Sequence, residues 1–276
     1  MKRVDRKTPC PVCGKPDWCG TSDDGGVAVC MRVRSATEAK NGGWVHIVHG
    51  RVLPVRRATG PPPVRVRVFD AAKYHAAIRR AWDGVLLDGT ALSLGVDADA
   101  LDRLAPGYDA CNRAVGFPMR DADGDVTGIR LRAHDGRKWS VSGSVDGMFY
   151  DPALVLGEGR ELVVAEGVSD TAAAYTLGLA AVGRSSCRTG AALLGELCGR
   201  LRPRLVTIVC DRDGWTRHGS EMARAGVDGA VDLGRSLGRP YRVVVPPVKD
   251  LRYWLADGLT GAVFEAFAGC SSVRLR

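Results

Sequence analysis

The sequence predicts an α/β domain with a mostly parallel sheet, preceded by a sheet-rich α+β subdomain and by a small N-terminal ribbon organised around a metal. Three observations carry this expectation. From residue 158 onward, hydrophobic runs of strand length alternate with helical stretches; between about 105 and 150, Asp-Gly turns separate short strand-like runs; and four of the nine cysteines fall within 21 positions near the N-terminus. The expected domains are a ribbon at 1–50, a Pro/Arg-rich linker at 51–68, a core subdomain at 69–157, and the α/β domain with a C-terminal helical segment at 158–276.

The ribbon is justified by Cys10, Cys13, Cys19 and Cys30, whose gaps of two, five and ten residues place two thiolates on one knuckle and two more across a hairpin that turns at Asp23-Asp24-Gly25-Gly26. Four sulfur ligands suit tetrahedral Zn²⁺ in a structural role, because no coordination position is left open for catalysis. The unpaired spacing leaves His46 or His49 as an alternative ligand in place of Cys19. Residues 1–50 hold too few large apolar side chains for a core, so the ion would supply much of the fold's stability. Cys111, Cys187, Cys198, Cys210 and Cys270 are scattered, and an odd total argues for metal ligation and buried thiols over a disulfide framework. No run approaches the length and apolarity of a membrane span, and the basic start lacks the apolar stretch of a signal peptide, so a cytoplasmic protein is expected.

Pro54 and Pro61-Pro62-Pro63, interspersed with arginines, cannot continue a helix or a central strand, which makes 51–68 a linker or extended arm. A helix over 70–82 follows from Ala71, Tyr74, Ile78 and Trp82 at helical spacing, with Asp70 as N-cap. One or two short helices follow, the clearer over 98–104. Strands are expected at 115–119, 126–132 and 138–141, separated by Asp123-Gly124-Asp125 and Asp135-Gly136-Arg137 turns. Beyond them come a strand at 162–166, an Ala-rich helix at 171–177 capped by Ser169 or Asp170, a strand at 179–182, a helix at 190–201, a strand at 205–210, a helix at 229–237 and a strand at 241–245. Such alternation requires crossover helices on a mostly parallel sheet.

Two of these strands end in acid. Glu166 precedes Gly167, where a chain leaving the carboxyl end of a strand turns into a helix, and Asp211 and Asp213 close the later run Leu205-Val206-Thr207-Ile208-Val209-Cys210. Ligands of open α/β sheets bind at that edge. Oxygen-only ligands favour Mg²⁺ or Mn²⁺, and two such ions would orient and neutralise a transferring phosphoryl group. Asp170 and Asp250 are secondary candidates, Asp170 having the alternative role of helix cap.

The formal charge of +8 is uneven: residues 1–82 carry 16 basic and 6 acidic side chains, whereas the remainder is slightly acidic. A basic N-terminal third fits a polyanion, and the acidic remainder fits cations. Lys15, Arg32, Arg34 and Lys40 supply charge for phosphates, and Trp18 and Trp44 supply rings that either stack on unpaired bases or cover the metal site.

Glu166-Gly167-Val168-Ser169-Asp170, Asp211-Arg212-Asp213 and Lys249-Asp250 together resemble the acidic motifs of the Toprim domain, the Mg²⁺-binding α/β module of bacterial-type primases, topoisomerases and some nucleases. Phe117-Pro118-Met119-Arg120, Gly128-Ile129-Arg130-Leu131-Arg132 and Gly136-Arg137-Lys138 are similar to the strand-rich subdomain that precedes Toprim in the primase core. The resemblance covers roughly 105–255 and, with the zinc ribbon, most of the chain. It implies a DNA primase that makes short RNA primers on single-stranded DNA by Mg²⁺-dependent or Mn²⁺-dependent nucleotidyl transfer. Glu166, Asp211 and Asp213 would be the catalytic metal ligands, and the ribbon would help to recognise template. Arg130 and Arg132, alternating on one strand, would with Arg120, Arg137 and Lys138 line a cleft for the triphosphate or the template backbone.

One departure is the segment from Gly214 to Gly226, longer and more basic than the compact form, with His218 a weak catalytic candidate; it is either a nucleic-acid-binding insertion or a surface loop. The alternatives to a primase are a Toprim nuclease and a noncatalytic DNA-binding replication factor. A topoisomerase would need a DNA-gate region for which 276 residues leave little room, and no Gly-x-x-x-x-Gly-Lys-Ser/Thr loop is present for an internal helicase, so a separate helicase is the expected partner beside single-stranded DNA and nucleoside triphosphates.

Overall fold

The computed structural model describes residues 1–39, 42–48, 69–157, 159–185, 190–212, 216–218, 221–223 and 225–270, with backbone alone at 216–218, 221–223 and 225. The linker expected at 51–68, Lys40, His49 and Asp213 lie outside the described residues. The chain divides into two compact units, Met1–Val66 with Trp215–Ala223, and Arg67–Gly214 with Arg224–Arg276.

In the first unit, β1 (Lys2–Arg3), β2 (Gly20–Thr21), β3 (Val27–Cys30) and β4 (Trp44–Ile47) form an antiparallel sheet in sequence order. The turn between β2 and β3 is held by Ser22 and Asp24, the Asp24 carboxylate accepting from Gly26 N at 3.1 Å. Among the described residues its buried apolar content is Val4, Ala28 and three cysteines, Cys10, Cys19 and Cys30. That is far too little to balance chain entropy without a further source of stability.

The second unit begins with α1 (Ala71–Arg79), whose N-cap is Asp70, accepting from Lys73 N. Then come α2 (Gly84–Leu94) and α3 (Ala98–Asp102), followed by β5 (Gly107–Asp109), β6 (Ala114–Arg120), β7 (Val126–Ala133), β8 (Lys138–Ser140) and β9 (Met148–Phe149). The α/β part contains β10 (Glu161–Glu166), α4 (Val168–Thr176), β11 (Ala181–Arg184), α5 (Ala191–Leu201) and β12 (Leu205–Val209). The hairpin of β13 (Thr216–His218) and β14 (Glu221–Ala223) belongs to the first unit, and the second resumes with α6 (Ala225–Ser236), β15 (Tyr241–Val244), α7 (Leu251–Ala256) and α8 (Gly261–Gly269). Within the long segment after Asp211, the described residues 216–218 and 221–223 pair as a hairpin, and α6 starts four residues earlier than expected.

The sheet differs from the expectation of a separate, mostly parallel one. A single mixed sheet of nine strands runs β15-β12-β10-β11-β9-β6-β7-β8, with β5 beside β6. The pairs β12·β15, β10·β12 and β10·β11 are parallel, and every pairing from β11·β9 onward is antiparallel. The joint is β9, two buried residues that pair with β11 on one side and with Arg120 of β6 on the other. It covers the β11 edge that a parallel set alone would leave open.

One apolar layer packs α2, α3, α4, α7 and α8 on one face, through Leu101, Ala172, Ala173, Trp254 and Phe264. The other face carries α5 and α6, through Leu194, Leu197, Ala230 and Leu233. Burial on both sides explains why all five residues of β12 are apolar or fully enclosed. A third cluster seats Ile78 of α1 on Ile129 and Leu131 of β7.

Candidate active site and metal centre

The parallel strands follow the spatial order β11-β10-β12-β15, so the chain moves one way from β10 to β11 and back the other way to β12. Helix α4 lies on one face and α5 on the other, as right-handed crossovers demand. The topological switch point thus falls between the carboxyl ends of β10 and β12, the place where open α/β sheets bind ligands. Glu166 is the last residue of β10, and Asp211 lies two residues beyond β12, its parallel neighbour.

Local backbone fixes both positions. Gly167, at φ 89°, turns the chain from β10 into α4 in a single residue and is itself the N-cap. This corrects the expectation that Ser169 or Asp170 caps the helix: both are buried within its first turn. At β12, a Cβ on Gly226 would meet Asp211 O at 2.5 Å, so a side chain there would push the start of α6 off the Asp211 peptide. Arg212 N donates to Lys249 O at 2.6 Å, tying the loop after β12 to the loop after β15.

Asp170 and Asp250 meet at the start of α7. Asp250 caps that helix, accepting from Tyr253 N at 2.8 Å, and Asp170 accepts from Arg252 N at 3.0 Å. Both are buried. Burial, reinforced by the Asp250 charge and opposed by the Arg252 N–H, raises Asp170 from 3.8 to about 7. Two acids forced together in this way suit a divalent cation, which would relieve their repulsion. Among the described residues, however, these carboxylates do not gather three ligand atoms at one point as the cysteines do.

Between about 3.8 and about 7 the folded chain binds more protons at Asp170 than the unfolded chain does, so metal-free stability falls as pH rises through that window and the penalty is complete above it. Asp170→Asn is expected to raise the melting midpoint in Mg²⁺-free buffer by several degrees at pH 8 and to leave it nearly unchanged at pH 4. Thermal denaturation at both pH values checks this; equal shifts contradict it.

Basic groups stand beside these acids. Arg130 and Arg132 share the face of β7 opposite buried Ile129 and Leu131, and Arg132 pairs in register with Lys138 of β8. Arg130 donates to Ser140 Oγ at 3.1 Å. Lys138 is solvent-exposed, yet the protein around its ammonium and then Arg132 lower its pKa, with Asp170 opposing. Arg132 likewise feels Arg252 and Asp170 after partial burial.

Arg120 and Arg137 do not join the group. Arg120 is buried and donates to Gly124 O at 2.8 Å, and Arg137 is exposed and paired with Asp135 at 2.6 Å. A cleft about 350 Å³ in volume at Asp97, Arg103 and Tyr175 lies by the opposite end of α4 from the acids.

In the first unit the sulfur atoms of Cys10, Cys13, Cys19 and Cys30 all lie within 4.8 Å of one another. The Cys13–Cys19 and Cys19–Cys30 separations are 3.7 and 3.9 Å, against an edge of about 3.8 Å for a tetrahedron of Zn–S bonds. Backbone N–H groups of Met31, Arg32 and Val33 point at the Cys19 and Cys30 sulfurs from 3.3–3.4 Å. The donor set therefore fits Zn²⁺. His46 Nε2 lies 2.9 Å from Val33 O, and among the described residues the clustered ligand atoms are the four sulfurs, that of Cys19 included.

Trp18 is 69% exposed and does not cover the site, while Trp44 lies beneath Arg34. Arg32 is better placed to serve the metal than a phosphate. Its Nη1 lies 3.7 Å from Cys19 Sγ and 3.9 Å from Cys13 Sγ, and its Nη2 is held by Asp17 Oδ1 at 2.6 Å. Arg32→Met is expected to weaken zinc retention about 10-fold or more, as loss of an outer-shell partner does, measured by transfer to a chromophoric chelator.

Two features went unread in the sequence. Arg184, buried at the end of β11, stands in register with Glu166, and its signal was a lone charge closing the run Ala181-Val182-Gly183. The other is the Arg252-Tyr253 pair of α7, whose charge gave no sign of position.

The second unit thus holds a mixed sheet with acids at its topological switch point beside a basic antiparallel subdomain, and the first holds a four-cysteine ribbon. No family model and no curated protein matches the chain, but solved structures do. It superposes on a DnaG catalytic core with a TM-score of 0.55 at 17% identity, over 74% of this chain and 79% of that one. With the zinc-binding and RNA polymerase domains of the Aquifex aeolicus primase the TM-score is 0.57 at 15% identity, over 74% and 60% of the two chains. With a DnaG catalytic domain bound to single-stranded DNA it is 0.53 at 17% identity, over 74% and 78%. The fold of this chain is that of the bacterial DnaG primase core.

Proposed function

We propose that the protein is a DNA primase that builds short RNA primers on single-stranded DNA, with residues 158–276 acting as a Toprim domain, 69–157 as its nucleotide-binding partner and 1–50 as a zinc ribbon that contacts template. The observation that carries the reading is the placement of Glu166 and Asp211 at the carboxyl ends of adjacent parallel strands, at the switch point of a primase-type fold. In this reading Glu166, Asp211 and Asp213 hold Mg²⁺ or Mn²⁺. The ions, when bound, would activate a 3′-hydroxyl and neutralise the incoming triphosphate.

Asp170 and Asp250 anchor the start of α7 and add negative charge that draws the cations in. Arg130, Arg132 and Lys138 receive the triphosphate or the template backbone, offsetting charge on the leaving pyrophosphate. A separate replicative helicase is the partner this activity would need.

Incubation with single-stranded DNA of varied sequence, Mg²⁺ and labelled nucleotides tests the reading. New chains that lengthen with time support it. Shortening of the input strand instead would mark a Toprim nuclease, and DNA binding without either product would mark a noncatalytic replication factor.

A further inference from the structure

Tyr253 is exposed in the first turn of α7, three residues after Asp250, and its position is fixed on both sides. Its backbone N–H is held by Asp250 Oδ1 at 2.8 Å, and that of Arg252 by Asp170 Oδ1 at 3.0 Å. The next residue, Trp254, is buried, with its ring 6.3 Å from Phe264 and 4.8 Å from Phe267. Rotating α7 to hide Tyr253 would drag Trp254 into water. Tyr253 is therefore left 45% exposed.

What lies over this ring is charge. Lys249 Nζ is 5.4 Å and Arg252 Cζ 4.7 Å from its centroid. Such cations sit weakly at exposed rings and are readily displaced. An apolar protein partner would have to desolvate both, and a polyanion without rings would make no use of the tyrosine. A nucleotide uses all three groups at once, its base on the π-face and its phosphates on the cations.

We infer that Tyr253, flanked by Lys249 and Arg252, is a stacking platform for an unpaired nucleobase held next to the carboxylate site. This deepens the primase reading and rests on it for the presence of unpaired bases there. The base comes either from the template strand or from the nucleoside triphosphate, and the experiment separates the two.

The wild-type chain, Tyr253→Ala and Tyr253→Phe are titrated with an oligothymidylate, an abasic strand of equal length, UTP and tripolyphosphate. Tyr253→Ala should weaken the base-containing member of one pair about fivefold or more while leaving its base-free counterpart unchanged, and Tyr253→Phe should bind as wild type. An effect confined to the oligothymidylate assigns the template base, and one confined to UTP the incoming nucleotide. Unchanged binding of all four ligands overturns the inference; so does an equal loss with and without bases, which would make Tyr253 a mere support for Arg252.

Should Tyr253→Ala fail to fold, photocrosslinking of wild type to 5-iodouracil strands and to 5-iodo-UTP decides, an adduct on Tyr253 supporting the inference and its absence with both overturning it. Primer synthesis is scored apart. Synthesis with base-independent binding removes the platform and leaves the primase reading, whereas Tyr253-dependent binding without synthesis does the reverse.

Discussion

Asp211→Asn is expected to lower primer synthesis by a factor on the order of 10³ or more, while zinc content, DNA binding and melting temperature stay near those of wild type. The magnitude follows from the several kcal/mol of transition-state charge stabilisation that a correctly held divalent cation supplies. The selectivity follows from structure. Asp211 lies past the end of β12 and is partly exposed, so an isosteric amide leaves the buried strand and its pairings with β10 and β15 intact. Its main chain is fixed independently by the approach of Gly226 and by the Arg212 to Lys249 hydrogen bond. Synthesis at the wild-type rate, measured with labelled nucleotides on single-stranded DNA, would remove Asp211 from the chemistry.

Cys30→Ser should act on the other unit with comparable force. Cys30 is fully buried, receives N–H groups from Arg32 and Val33 at 3.4 and 3.3 Å, and its sulfur is 3.9 Å from that of Cys19. A hydroxyl is a poor zinc ligand, and structural zinc contributes roughly 10–16 kcal/mol to small metal-organised folds. With only Val4, Ala28 and three cysteines buried among its described residues, the ribbon has little apolar reserve. The expected result is a protein without stoichiometric zinc whose first 50 residues are cut rapidly by protease, while 69–270 resist. Metal analysis and mass mapping of fragments check both halves. Retained zinc with a protected ribbon would contradict the account.

How far the sequence could be read depended on where its chemistry was local. The runs that became β10 and β12 are buried on both faces, so continuous apolarity marked them, and the acids that end them stood out. The four cysteines announced themselves by type, and only the structure shows His46 bonded to Val33 O rather than grouped with them. The strand β9, two residues long, has no periodicity to detect, yet it joins two expected sheets into one. The start of α4 was misplaced because Ser169 and Asp170 are good capping types, whereas the tight exit from β10 required Gly167 at positive φ. Strand β11 lies two residues later than expected, since Leu179 and Ala180 are spent returning the chain from α4. Arg120 shows the limit of local pattern: it closes β6, beside the strand that carries Arg130 and Arg132, but tertiary packing turned it inward onto Gly124 O.

The central claim is that acids at the switch point grip hard cations. Anomalous diffraction from crystals soaked in Mn²⁺ with a nucleoside triphosphate tests it most directly. The account predicts a manganese peak at the carboxylates of Glu166 and Asp211; a well-ordered site with no anomalous density there would contradict it.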